Sequence, residues 1–255
     1  MPRLPVSVTL IALLAAASST SSAQSAAQHI AEGDSAYAPR RAPDALQHYL
    51  GALAVDSANA AALWRASRTE VELAEFDSDA NHGHALMNDA ERHARAAVAN
   101  EPQNEHAHFA LAQALGRIAL AAPTLERLPF ATEIHKEALA CLDIAPTDAG
   151  CLHVLALWSA EYMRLDQFTR DMANSMSRGK LFATATWAEA ERNLLAAIKL
   201  EPNRAIHHLD LARIYRDEGK KKEAQAEFRA AVTARPQDFN DPHYQIEAKK
   251  ALEAP

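Results

Sequence analysis

Along most of the chain, small or apolar residues return every three or four positions, and the intervening positions are polar. This is the period of helices that bury one face. It is clearest from Ala205 to Pro236. Leu211, Ala212 and Tyr215 line one helix, Gly219 closes a turn, and Ala224, Phe228 and Ala231 line a second helix that Pro236 stops. The same second-helix spacing recurs upstream, as Ala45, Tyr49, Ala52; Ala90, Ala94, Ala97; Ile134, Ala138, Cys141; and Ala190, Leu194, Ala197. The pattern predicts first helices at about Ala26–Asp34, Ala60–Phe76, Glu105–Leu120, Ala149–Leu165 and Ala205–Glu218. Five hairpins follow, at about 26–57, 60–102, 105–146, 149–202 and 205–236, with a last helix at 241–253 as a charged, solvating cap. The fourth hairpin carries an insertion at 166–186, where Phe168, Met172 and Met176 fall at i, i+4 and i+8 and predict a short amphipathic helix. Thr186 followed by Glu189 reads as a capping box opening the next helix.

The second-helix order A-x3-F-x2-A with a closing proline, after an apolar, small, aromatic first helix, resembles the tetratricopeptide repeat. That resemblance implies an all-α solenoid of helical hairpins. No hairpin can bury its own apolar face, so neighbours must stack on it. A narrower resemblance lies in LHVLALW (Leu152–Trp158), GKLFATATWAEAERNLLAAIKLEP (Gly179–Pro202) and LDLARIYRDEGKKKEA (Leu209–Ala224). These stretches resemble the regulator of microtubule dynamics family, although Ala156 stands where that family commonly has Gly. The resemblance implies a helical repeat domain. In animals such domains are linked to microtubules, to organelle tethering and, in one branch, to phospholipid binding and transfer; bacterial relatives look exported.

Composition narrows the setting. The chain has 255 residues, 49% of them hydrophobic and 23% charged, which is ordinary for a folded protein and argues against disorder. Seven Gly against very many Ala favours close-packed helices over a sheet. A formal charge of −7 without a basic stripe argues against a nucleic-acid partner. Arg3, an apolar run from Val6 to Ala17 and Ser21-x-Ala23 read as a secretory signal over residues 1–23, cut after Ala23. The run is too short to span a membrane, so the expected mature chain, 24–255, has no transmembrane segment and is exported, periplasmic or secreted. Such a compartment permits a disulfide between Cys141 and Cys151, which could meet across an inter-repeat turn; the alternative is two small core residues.

Searching for chemistry returns no G-x-S-x-G, H-E-x-x-H, phosphate loop or G-x-G-x-x-G, so the expectation is a non-enzyme with no cofactor and no metal. Twelve His residues invite a metal reading at His82 and His84 with Asp77 and Asp79, but a solvated polar loop explains these as well. His106 and His108, two apart on a helix, face different ways. The candidate site is instead the concave groove. Offsetting from each packed stripe gives Trp64, Arg68 and Glu72; Phe109, Gln113 and Arg117; His153, Leu157 and Glu161; and Leu209, Arg213 and Arg216. The aromatics serve either as anchors for a ligand or as plugs between repeats, and Arg can grip a carboxylate in two-pronged fashion. The expected function is recognition of a protein or peptide segment in this groove. The alternative is a phospholipid-binding or lipid-transfer module in which Phe168, Met172 and Met176 form a lid within 166–186.

Overall fold

The computed structural model describes residues 14–38, 40–176 and 181–253. Residues 1–13 of the predicted signal segment lie outside the described residues, as do residues 177–180 of the predicted insertion and the side chain of Met176. Twelve α-helices are present among the described residues, α1 (Leu14–Tyr37), α2 (Ala42–Val55), α3 (Ala60–Glu75), α4 (Ala80–Asn100), α5 (Glu105–Ala121), α6 (Leu128–Ile144), α7 (Ala149–Arg164), α8 (Gln167–Met176), α9 (Trp187–Leu200), α10 (Ala205–Asp217), α11 (Lys221–Thr233) and α12 (Asp241–Glu253). There is no strand among the described residues, and no described helix is long and apolar enough to cross a membrane. Helices pair as α1/α2, α3/α4, α5/α6, α7/α9 and α10/α11, with α8 inserted in the fourth pair and α12 packed on the fifth. The chain is therefore an all-α tetratricopeptide-like solenoid of five hairpins with a capping helix.

Local chemistry explains where helices begin. Asn59, Asp79, Asn104, Asp148 and Thr186 each accept a hydrogen bond from a backbone N–H of the first turn they precede. At Thr186 only half of the predicted capping box forms: Glu189 N–H donates to Thr186 Oγ1 at 3.1 Å, while the Glu189 carboxylate turns to Arg192 and Asn193. Gly219, at φ +77°, supplies the left-handed residue that ends α10.

Packing follows the small-residue spacing. Ala45, Ala52, Ala90, Ala94, Ala97, Ala138, Cys141, Ala190 and Ala197 have no solvent exposure. They let second helices approach first helices closely. Gly33 takes this furthest, since a Cβ there would sit 2.4 Å from the Tyr49 ring. Cys141 in α6 and Cys151 in the first turn of α7 are joined by a disulfide that ties the third hairpin to the fourth.

α12 caps the fifth hairpin with a mostly solvated outer face, as expected, but the chain end also reaches back across the solenoid. Asp241, Tyr244 and Ala248 are buried, and the stretch around them returns to the first two hairpins. Arg40 Nη1 donates to the Pro236 carbonyl at 2.7 Å, Asn240 Nδ2 to the Glu72 carbonyl at 2.8 Å, and Tyr244 Oη to Glu75 at 2.6 Å. His243 stacks on Phe76 at 4.3 Å. The superhelix thus closes on itself, and its concave groove becomes a cavity.

Candidate functional site

The cavity has a volume of about 480 Å³, within the range of small-ligand sites. Its walls come from the first helices α3, α5, α7 and α10, joined by Tyr37 of α1, Phe182 of the insertion and the 238–244 stretch. First helices line it because their opposite faces are used up in packing on second helices.

One wall is aromatic. Trp158 stacks on Phe182 with ring centres 5.2 Å apart, and Phe182 stacks on Tyr162 at 4.5 Å. Trp158 Nε1 donates to the Ala131 carbonyl at 2.8 Å, so its polar atom is satisfied and its face is apolar. Leu157, Val154 and Ile134 complete this side. Phe109 lies over Gly150, where a Cβ would meet its ring at 2.6 Å.

The other wall is charged. The Arg68 guanidinium sits 4.0 Å from the centre of the Tyr37 ring and 5.3 Å from that of Trp64. Tyr37 donates to Glu72, Arg204 pairs with Asp238, and Arg117 pairs with Glu75 at 2.7 Å. Burial, and after it the Asp238 charge, pushes the Glu72 carboxyl up to about 7. His153 Nε2 donates to Asp210 at 2.9 Å, and its Nδ1 meets His207 Nδ1 at 2.5 Å, a distance that fits one proton between them. Burial pushes His207 down to about 4, against the Glu201 carboxylate 3.3 Å away on its other nitrogen. Desolvation works to raise Asp210, but hydrogen bonds from His153 and Arg213 hold it below the usual carboxylate range.

Five buried polar atoms on cavity residues have no hydrogen-bond partner among the described residues: Arg68 Nε, Glu72 Oε2, Gln113 Oε1, Arg204 Nε and Asn240 Oδ1. Arg204 Nε is 3.6 Å from Glu201, near enough for ion pairing without hydrogen-bond geometry.

Of the predicted groove residues, Trp64, Arg68, Glu72, Phe109, Gln113, Arg117, His153, Leu157 and Glu161 all line the cavity. Arg213, Arg216 and Leu209 do not. Arg213 is held by Asp210 and by Glu247 of α12, Arg216 is exposed, and Leu209 is fully buried in the core under α12. The returning chain end covers the side of α10 on which the offset rule had placed them. The predicted lid differs too. Phe168 is 76% exposed and, like Met172, lies off the cavity; α8 packs through Ala173 instead, and Leu165 and Phe182 are what the insertion contributes to the wall.

The sequence reading missed Tyr37, Arg204, His207, Asp238, Asn240 and Tyr244. One signal was present: Glu101-Pro102 and Glu201-Pro202 are each followed six residues after the proline by a His. His108 and His208 bond the carbonyls of Pro102 and Pro202 at 3.0 Å and Glu137 and Glu227 at 2.6 Å. These are repeat clamps and leave His207, the neighbour, to face inward. Of the other histidines, His82 pairs with Asp77 on the surface, and His106 packs on Trp64 at 4.6 Å.

No curated protein matches the chain. Among solved structures it is similar to TTC0263, a thermophilic TPR protein of Thermus thermophilus, at 18% identity with a TM-score of 0.60, covering 88% of this chain and 99% of that one. It is also similar to pilF of Pseudomonas aeruginosa, at 14% identity with a TM-score of 0.50, covering 91% of this chain and 86% of that one. At such identities the likeness is one of fold. The family model of regulator of microtubule dynamics protein 1-3 matches residues 25–254, which is nearly the whole chain and all five hairpins, and the chain belongs to that family.

Proposed function

We propose that this chain is a non-catalytic binding protein that holds a short peptide segment in the cavity. The observation that carries the reading is the set of buried atoms without a hydrogen-bond partner among the described residues, donors on Arg68 and Arg204 and acceptors on Glu72, Gln113 and Asn240, opposite an aromatic wall. Each such group costs about 1–3 kcal/mol until it is paired. A peptide supplies what all of them need, N–H groups for the acceptors, carbonyls or a terminal carboxylate for the arginines, and an apolar side chain for Trp158 and Phe182. A phospholipid suits the aromatic wall and the arginines but offers few donors to the three acceptors. The disulfide and the apolar run from Val6 to Ala17 support an exported, oxidising setting, periplasmic or secreted.

The test is a titration of the chain, purified without detergent, with tripeptides Ala-X-Ala, read by Trp fluorescence. Micromolar binding that favours large apolar X, weakened about tenfold in both Arg68→Ala and Glu72→Ala, is expected. Native mass spectrometry of the same sample runs beside it. A phospholipid retained near one per chain, with no tripeptide binding, would replace the peptide reading with lipid carriage. N-terminal sequencing of the exported fraction should begin at Gln24.

A further inference from the structure

Outside the cavity, the α1/α2 hairpin brings His29, Glu32 and His48 together on one side. His29 Nδ1 lies 3.9 Å and His48 Nδ1 3.2 Å from the same carboxylate oxygen, Glu32 Oε2, and the three side chains can each offer a ligand atom within 4.8 Å of the other two. Zinc bonds of 2.0–2.1 Å in a tetrahedron place ligand atoms about 3.3 Å apart, so the His48–Glu32 pair has that spacing already and the His29 nitrogen has to come closer to complete it.

Three further features shape the site. Gln28 Nε2 donates to Glu32 Oε1 at 2.9 Å, which fixes the carboxylate and presents Oε2 to both imidazoles. An outer hydrogen bond of this kind is how metal-binding carboxylates are commonly oriented. His29 Nδ1 is buried yet has no hydrogen-bond partner among the described residues, which is an unusual condition for a polar atom. The His29 ring packs against α2 at Gly51, where a Cβ would come within 3.1 Å of it, so the absence of a side chain at 51 makes room for the ring. Both histidine side chains are 37% exposed, so solvent reaches the His48 and Glu32 side of the cluster and could hold a fourth position, while His29 Nδ1 faces inward.

We propose that His29, Glu32 and His48 form a binding site for a divalent cation of the zinc type. Two imidazole nitrogens and one carboxylate oxygen suit that borderline-soft ion and disfavour calcium or magnesium, which take oxygen ligands. The bound ion clamps α1 to α2 and so steadies the hairpin that carries Tyr37 to the cavity.

Isothermal titration of the untagged chain with Zn²⁺ is the test. One site of micromolar or tighter Kd is expected, with at least a tenfold loss in His48→Gln and in Glu32→Gln and no change in the control His82→Ala. Helicity measured without metal confirms that each variant is folded, and His29→Gln serves if His48→Gln is not. Co²⁺ gives a second readout, a visible tetrahedral band present in the parent and lost in the His48 variant. Binding below half an ion per chain, variant affinities within twofold of the parent, or a Co²⁺ band that survives the loss of His48 would overturn the site.

Discussion

The aromatic wall of the cavity is assembled from Phe109, Ile134, Trp158, Tyr162 and Phe182, which follow one another closely along the chain, whereas the polar wall joins Tyr37 of α1 and Arg68 and Glu72 of α3 to Gln113 and Arg117 of α5, His153 of α7, α10 and residues 238–244. The contact from Asn240 to Glu72 spans 168 residues, while that from Trp158 to Ala131 spans 27. The first wall is core that happens to face inward, and its residues are satisfied. The second is a meeting of charged groups brought together by closure, with several atoms unsatisfied and two pKa values far from ordinary.

The sharpest way to break this contrast is Trp158→Ala, which empties the aromatic wall of a side chain only 7% exposed. It should cost about 3–5 kcal/mol of stability in urea denaturation. A loss below about 1 kcal/mol would mean that this wall is not core.

Next come two substitutions on the polar wall with opposite signs. Glu72, raised to about 7 from an unfolded value near 4.3, binds more protons folded than unfolded, so its effect on stability worsens as pH rises through that window. His207, lowered to about 4 from about 6.5, does the reverse, and its effect on stability improves as pH rises from about 4 to 6.5. The two slopes oppose each other in the overlap, each worth about 3 kcal/mol when complete. Glu72→Gln should therefore leave a profile that climbs with pH, and stabilise the protein above pH 7. His207→Gln should leave one that falls. Denaturation midpoints measured from pH 4 to 8 check this, and identical profiles for parent and both variants would refute it.

The smallest effect tests closure itself. Tyr244→Phe removes the hydrogen bond to Glu75 and should cost about 1 kcal/mol, more if the Glu75 carboxylate is left poorly paired. Amide exchange should quicken at 238–244 and at the end of α3 but not in α6 or α7. Exchange that rises evenly over the chain would show that the seam is no separate unit.

Legibility followed the same division. The five hairpins could be read because Ala at i, i+4 and i+7 is a local demand of helix packing, and the fully buried Ala90, Ala94 and Ala97 obey it. Trp64, Arg68, Phe109 and Leu157 could be placed inward by offset from that stripe. Arg213 could not, because the α12 carboxylate of Glu247 that claims it lies 34 residues on and carries no periodic signature. Tyr37, Asp238 and Asn240 were invisible for the same reason, since closure depends on the accumulated rotation of all five hairpins. Met172 misled because a stripe of large apolar residues looked like a packing face, yet the smaller Ala173 is what fits against the core.

An open solenoid can gain or lose a hairpin at little cost, since each unit touches only its neighbours. Here the bond between Arg40 and the Pro236 carbonyl, and those of Asn240 and Tyr244 to α3, make the count itself a structural constant. A sixth hairpin would carry the chain end past its seat, and a chain of only four would leave it short. The seam leaves loop length free, as the 166–186 insertion shows, while it ties the number of hairpins to the position of the chain end.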